Sequence, residues 1–179
     1  WKSRLPGLIV ADILKSSLGA ARNFGAEAAR YPSLLFLDDD VLVPRHFFRA
    51  LGEKLDRFPD AAALGGPNRT PGMSSLFQRC VGHVLASRFG AGPMRRRYRG
   101  LAGDCASDDT ALMLCNLLLR RARLPDSRRL FPEDMERNEE NFLLDSLRVR
   151  GETLIHCPDL FVDHERRGDG HGEDRPRDL

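Results

Sequence analysis

Three consecutive carboxylates, Asp38, Asp39 and Asp40, directly follow the apolar run Leu34–Leu37. Alternate residues of an extended segment point the same way, so we expect Asp38 and Asp40 to aim at one point and Asp39 to turn away. Two hard oxygen donors in that arrangement favour Mg²⁺ or Mn²⁺ and leave coordination positions for phosphate oxygens. A solvated acidic turn is the alternative, and the mutual repulsion of three carboxylates argues for the cation.

A second pair of carboxylates, Glu139 and Glu140, opens a helical pattern after Asn138. Acidic residues in a first turn are stabilised by the helix dipole, which is one sufficient explanation. The other explanation is a general base. Glu140 precedes Leu144 and Leu147 by four and seven residues, so it borders the apolar face of the helix. Glu139 is expected to be turned away from that direction by about a hundred degrees.

His164 and an arginine cluster are the remaining candidates for chemistry. His164 follows the apolar run Leu160–Val162, and a histidine at a strand end is either a metal ligand or an ordinary structural or solvated residue. Arg95, Arg96, Arg97 and Arg99 form the densest basic cluster, which would face anionic lipid, a diphosphate or only water.

Alternating strands and helices are expected to position these residues. That alternation predicts an α/β fold with a mostly parallel sheet and a ligand site beyond the carboxyl ends of its strands. The apolar range Ala111–Leu119 fits either a strand or a helix. The predicted strands are Leu8–Leu14, Leu34–Leu37, Ala61–Leu64, Thr153–His156 and Leu160–Val162, and the predicted helices are Gly19–Arg30, Pro44–Phe58, 73–90 and Asn138–Arg150, the last capped by Asn138 and ended by Gly151.

Composition restricts the class of protein. The chain has 179 residues, of which 41% are hydrophobic and 30% charged, which suits one packed domain and argues against global disorder. No apolar run approaches the roughly 20 residues that span a bilayer. A net charge of +2 argues against a nucleic-acid coat, although only three of the 28 basic residues are lysines. The four cysteines include no Cys-x-x-Cys pair, which disfavours a zinc ribbon and fits a reducing cytoplasm.

Five segments in sequence order resemble a known family. They are GAARNFG (19–25), FLDDDVLVP (36–44), GGPN (65–68), FPEDMERNEENFLLDSLRVRG (131–151) and PDLFVDHERR (158–167). Each is weak alone, but their order and spacing are similar to the inverting family 2 glycosyltransferases of the GT-A fold. Phe89, Gly90, Gly92, the arginines after them and Asp108–Asp109 resemble the bacterial subset that builds exopolysaccharides such as succinoglycan.

The resemblance implies a donor site and a metal site. It matches Asp38 and Asp40 to an Asp-x-Asp motif that holds Mg²⁺ or Mn²⁺ on the diphosphate of a nucleotide-sugar donor. It matches His164 to a histidine that often completes the metal site. The donor-binding residues that it implies are Arg22, Asn23, Asp38, Asp39 and Gly66.

The resemblance also implies the reaction. Glu139 and Glu140 match a catalytic acidic pair whose second member, here Glu140, is the usual base, with Glu in place of the family's Asp. Glu140 would deprotonate an acceptor hydroxyl, and the anomeric configuration would invert. The implied acceptor is a saccharide or a sugar on a polyprenyl diphosphate, used in cell-surface polysaccharide synthesis. The implied location is the cytoplasmic face of the plasma membrane, with peripheral membrane contact and no nucleic-acid partner.

We expect a partial GT-A domain over residues 1–167 and a polar tail over 168–179. In the family, strand–helix units before the first matched helix supply an acid that grips the nucleotide base, and Asp12 matches that acid poorly. A non-catalytic binding module lacking the base site is therefore an alternative. Haloacid-dehalogenase-like phosphatases also place Asp-x-Asp after an apolar strand. Those phosphatases need a catalytic lysine much later in the chain. Lys54 is the only lysine after Asp40 and lies too close to it, so this class is disfavoured.

Overall fold

A computed structural model describes residues 17–125, 129–135 and 138–164. The predicted strand at Leu8–Leu14, Asp12 and the predicted tail at 168–179 lie outside these residues. The helices are α1 (Leu18–Ala28), α2 (Phe47–Arg57), α3 (Leu76–Leu85), α4 (Arg88–Ala91) and α5 (Glu139–Val149), with short 3-10 turns at Gly92–Arg97 and Arg121–Arg123. The strands are β1 (Ser33–Leu37), β2 (Val41–Leu42), β3 (Ala61–Gly65), β4 (Asn68–Arg69), β5 (Cys105–Ala106), β6 (Asn116–Arg120), β7 (Thr153–His156) and β8 (Val162–His164).

The strands form two sheets of mixed direction. The larger has the order β1-β6-β3-β7-β5, and the smaller has the order β2-β8-β4. Among the described strands of the larger sheet, only β3 and β7 pair in parallel, since β6 runs antiparallel to both β1 and β3 and β5 runs antiparallel to β7. The fold is α/β as expected, but the prediction of a mostly parallel sheet is wrong.

Burial on both faces explains the apolar run of β6. Leu117 and Leu119 of β6 face one core cluster, and Leu118 between them faces the other. A strand covered on both faces reads as a continuous apolar run whatever the direction of its neighbours. The apolar run therefore indicates that the strand is buried and does not specify its direction.

Helices cover both faces of the larger sheet. On one face, the buried residues of α1 and α5 and the 129–135 segment pack against alternate strand residues. On the other face, Phe47, Ala50 and Leu51 of α2 pack against Leu64, Leu118 and Ile155. The amphipathic helix predicted over Pro44–Phe58 is confirmed as α2, which buries Phe47 and Leu51 in this second layer but leaves Phe48 exposed.

The two ends of α5 differ in how well the sequence predicts them. Gly151 has a φ of 79° and donates its backbone N–H to the carbonyl of Arg148, so the predicted stop is confirmed. Asn138 occupies the predicted first position. It has a φ of 64° and makes no side-chain capping hydrogen bond, so the expected side-chain cap is wrong.

Candidate functional site

Strand direction gathers the candidate residues at one edge of the larger sheet. β1, β3 and β7 run the same way, and β6 runs against them. The residue after β1 is Asp38, the residue after β3 is Gly66, and β6 begins with Asn116 at the same edge. We call this the site edge.

Asp38, Asp40 and His164 converge at the site edge. One potential ligand atom from each lies within 4.8 Å of the others, and Nε2 of His164 is 3.0 Å from Oδ1 of Asp40. The pairing of β2 with β8 causes this, because Val41 is the partner of His164 in the ladder. The two carboxylates are oxygen ligands of the kind that Mg²⁺ and Mn²⁺ prefer, and the imidazole suits Mn²⁺ better than Mg²⁺, so these residues fit a divalent cation.

The acidic triplet reaches this arrangement through a turn. Asp39 and Asp40 form a turn between β1 and β2, where an extended segment was expected. Asp39 is exposed and lies outside the cluster, as expected, although that expectation assumed an extended backbone and the structure has a turn.

The electrostatics of the cluster favour a positive charge. Burial raises the pKa of Asp38, the charges of Asp40 and Asp39 raise it further, and those of Arg22 and His164 oppose the change. The local cost of a negative Asp38 is therefore only partly offset by neighbouring side chains.

Arg22 and Glu139 form an ion pair between α1 and α5. The side chain of Glu139 is 3% exposed and that of Arg22 is 22% exposed. The expected orientation of the acidic pair is thus wrong, because Glu139 is buried whereas Glu140 is half-buried. The attraction of an arginine on another helix turns this face of α5 inward, and spacing within α5 does not reveal that partner.

Glu140 nevertheless lies near the site edge. Burial raises the pKa of Cys115 to about 12, and the charges of Asp38 and Glu140 both contribute to the rise. Cys115 directly precedes β6, so both carboxylates lie within electrostatic range of the same buried thiol. Glu140 and Asp38 are therefore both close enough to Cys115 to affect its pKa.

Two of the implied donor-binding residues have structural contacts. Asn23 is buried and its amide donates to the carbonyl of Phe131 at 2.8 Å, while its Oδ1 accepts from the Phe131 N–H at 2.9 Å. Gly66 is a point of close backbone approach, since an added Cβ would lie 2.2 Å from the carbonyl oxygen of Leu160. Their roles in donor binding stay predictions.

Asn68 is a candidate that sequence reasoning missed, although it ends the quoted GGPN segment. It is fully buried, and its Nδ2 lies 2.6 Å from Sγ of Cys115. Its Oδ1 is buried and makes no hydrogen bond within the described residues. A buried asparagine with an unused acceptor beside the site edge is a candidate contact for a ligand hydroxyl.

The arginine cluster does not act as one surface. Arg97 is buried and donates to the carbonyls of Asp109 and Thr110 and to Oδ1 of Asn141. It therefore ties the loop before β6 to α5 and is not available to lipid or diphosphate, in contrast to the more exposed Arg99.

Comparison with known proteins adds one finding to this geometry. A family model described as glycosyl transferase family 2 matches residues 12–119, which is more than half of the chain. The matched range includes Arg22, Asp38 and Gly66, whereas Glu140 and His164 follow it. No curated protein matches the chain.

Proposed function

The chain belongs to glycosyl transferase family 2, and on that premise we propose that it transfers a sugar, with inversion, from a nucleotide-diphosphate donor to a saccharide or polyprenyl-diphosphate-linked acceptor. The observation that carries the proposal is the convergence of Asp38, Asp40 and His164 at the site edge. Family membership supports glycosyl transfer in general. The ligand types in the cluster support the metal-dependent form of it.

The donor side of the proposal rests on the chemistry of the cluster. Asp38, Asp40 and His164 would hold Mg²⁺ or Mn²⁺. When bound, such a cation supplies Lewis-acid stabilisation of a leaving diphosphate. Arg22 lies within electrostatic range of Asp38 and is held by its ion pair with Glu139. In this proposal its guanidinium would contact the donor.

The acceptor side of the proposal rests on Glu140. Its carboxylate is half-buried, and among the described residues it has no ion pair. In this proposal it takes the proton of an acceptor hydroxyl. Glu139, buried and paired with Arg22, positions the donor side and does not move a proton. The two adjacent acids therefore have different tasks because their environments differ.

The finer parts of the proposal concern setting. We place the reaction in bacterial cell-surface polysaccharide synthesis, at the cytoplasmic face of the plasma membrane, with a peripheral membrane contact. No described helix has the length and apolar character needed to cross a bilayer.

Calorimetric titration with nucleotide and Mn²⁺ tests the donor site. UDP and GDP are titrated separately into the chain, with and without Mn²⁺, and then into Asp38→Asn/Asp40→Asn. We expect binding that requires Mn²⁺ and is lost in the double variant. Asp163→Asn is the matched control, since Asp163 adjoins His164 but lies outside the cluster, and it should bind normally.

A second measurement separates binding from transfer. Release of free nucleotide from a panel of nucleotide sugars is followed with the intact chain and with Glu140→Gln. Metal-dependent binding with hydrolysis or transfer that Glu140→Gln abolishes supports the enzyme. A chain that is folded by circular dichroism but binds no nucleotide with Mn²⁺ contradicts the proposal and favours the non-catalytic binding module.

A further inference from the structure

The segment from Met73 to Met94 buries little of its apolar surface. None of the residues of α3 is buried, although the capping box of Ser75 and Gln78 gives the helix a well-formed start. The exposed large apolar side chains here are Met73, Leu76, Phe77, Val84, Phe89 and Met94, and Met73 and Phe89 are exposed almost completely. Surface apolar residues at this density mark an interaction site.

The longer stretch 61–103, which contains this segment, carries charge of one sign only. No aspartate or glutamate occurs between Asp60 and Asp104, and seven arginines do. Arg97 is buried, but the side chains of the others are exposed or half-buried. Asp108 lines a shallow pocket beside Arg95 and Arg96 and offsets only part of this charge.

The helix α3 has two different sides. Phe77 and Val84 lie two turns apart on one side, and both are exposed. Arg79 and His83 lie on another side, where they line a groove that extends to Asn68. This groove therefore connects the exposed segment with the site edge.

We propose that this basic–apolar face, made of α3, α4 and the 3-10 turn at Gly92–Arg97, docks on an anionic lipid bilayer. Charge complementarity selects the occupant. A bilayer offers both anionic headgroups for the arginines and an apolar interior for the side chains between them. A second copy of the same face would oppose arginine with arginine.

Docking in this way deepens the proposed function. It brings the groove beside α3 to the membrane surface, where the diphosphate of a lipid-linked acceptor lies. The choice of a membrane as the functional setting rests on the proposed function. The test below measures binding without sugar transfer, so that failure of either idea is seen separately.

Vesicle co-sedimentation tests the inference with the intact chain. Phosphatidylcholine vesicles with and without phosphatidylglycerol are compared at 0.1 M and 0.5 M salt. We expect binding to the anionic vesicles that weakens at high salt. Arg79→Gln/Arg88→Gln should lower the partition coefficient by about 30-fold, which is roughly fivefold per arginine.

The apolar contribution is tested by Phe77→Ser/Phe89→Ser. Burial of aromatic surface in the bilayer predicts a loss of at least about tenfold. Phe48→Ser and Arg49→Gln are the matched controls, because these residues are exposed on α2, outside the basic–apolar face, and should leave binding unchanged.

Three outcomes would overturn the inference. The first is absence of binding to anionic vesicles by a folded chain. The second is equal loss of binding in the test and control variants. The third is a dimer in light scattering that Phe77→Ser/Phe89→Ser dissociates, because that result assigns the face to a second copy of the chain.

Discussion

The adjacent acids Glu139 and Glu140 are expected to fail in opposite ways when each is replaced by glutamine. Glu139 is buried in an ion pair with Arg22, whereas Glu140 is half-buried near Asp38 and Cys115. Glu139→Gln should therefore lower stability. Glu140→Gln should remove the catalytic base and leave stability nearly unchanged.

The size of each effect follows from burial. Breaking a fully buried ion pair costs about 3 to 5 kcal/mol. The side chain of Arg22 is 22% exposed and partly rehydrates, so we expect about 2 kcal/mol for Glu139→Gln. For a chain of this size that loss lowers Tm by roughly 6 °C. Glu140→Gln should cost under about 0.5 kcal/mol. It should reduce kcat by about 10²- to 10⁴-fold.

Two assays on the same preparations separate the effects. Urea denaturation followed by circular dichroism gives the free energy of unfolding, and nucleotide release from a nucleotide sugar gives the rate. Rates are measured at a temperature where every variant is folded. The reasoning is refuted if Glu140→Gln keeps its rate while Glu139→Gln is stable and inactive, since Glu139 would then be the base.

Three further predictions concern the scaffold. Gly19→Ala should destabilise the chain by about 3 kcal/mol, because its Cβ would lie 2.2 Å from a facing carbonyl oxygen. Gly25→Ala in the same helix places its Cβ where nothing lies within 4 Å, and it should stabilise the chain by up to about 1 kcal/mol. Thermal unfolding of both variants checks this, and equal effects would contradict it. Lys54→Met removes a partner, 2.9 Å away, of the buried Asp104 carboxylate, while the more exposed Arg57 stays paired with it at 2.7 Å. We therefore expect a cost of about 1 to 2 kcal/mol in urea denaturation. Lys54→Met with Asp104→Asn should recover part of that loss. Burial and the charge of Arg96 lower the pKa of His156, and the backbone of Arg96 and the charge of Asp104 oppose them only in part. The unfolded chain therefore binds a proton that the folded chain resists, so stability should fall as pH drops below 6.5. This slope should weaken in His156→Gln, and an unchanged slope would show that other groups cause it.

Local elements were largely predictable from the sequence. Thr153–His156 is a strand with the predicted bounds, and α5 ends at Val149, just before the predicted stop at Gly151. These features depend on residues within one turn or strand of each other, so short-range patterns are sufficient to indicate them. The direction of β6 was not predictable, because the same apolar run is compatible with either direction once both faces are covered.

The candidate site likewise has some features that the sequence determines and others that only the tertiary structure provides. The sequence by itself determined that Asp38 and Asp40 lie together after an apolar strand and that two acids open a later helix, since these relations are set by covalent spacing. Only the tertiary structure decided that His164 meets Asp40 and that Arg22 draws Glu139 into the interior. The first contact requires β2 to pair with β8, and the second requires α1 to pack beside α5. Both depend on the burial of apolar faces across the whole domain, which residue spacing within one segment does not encode.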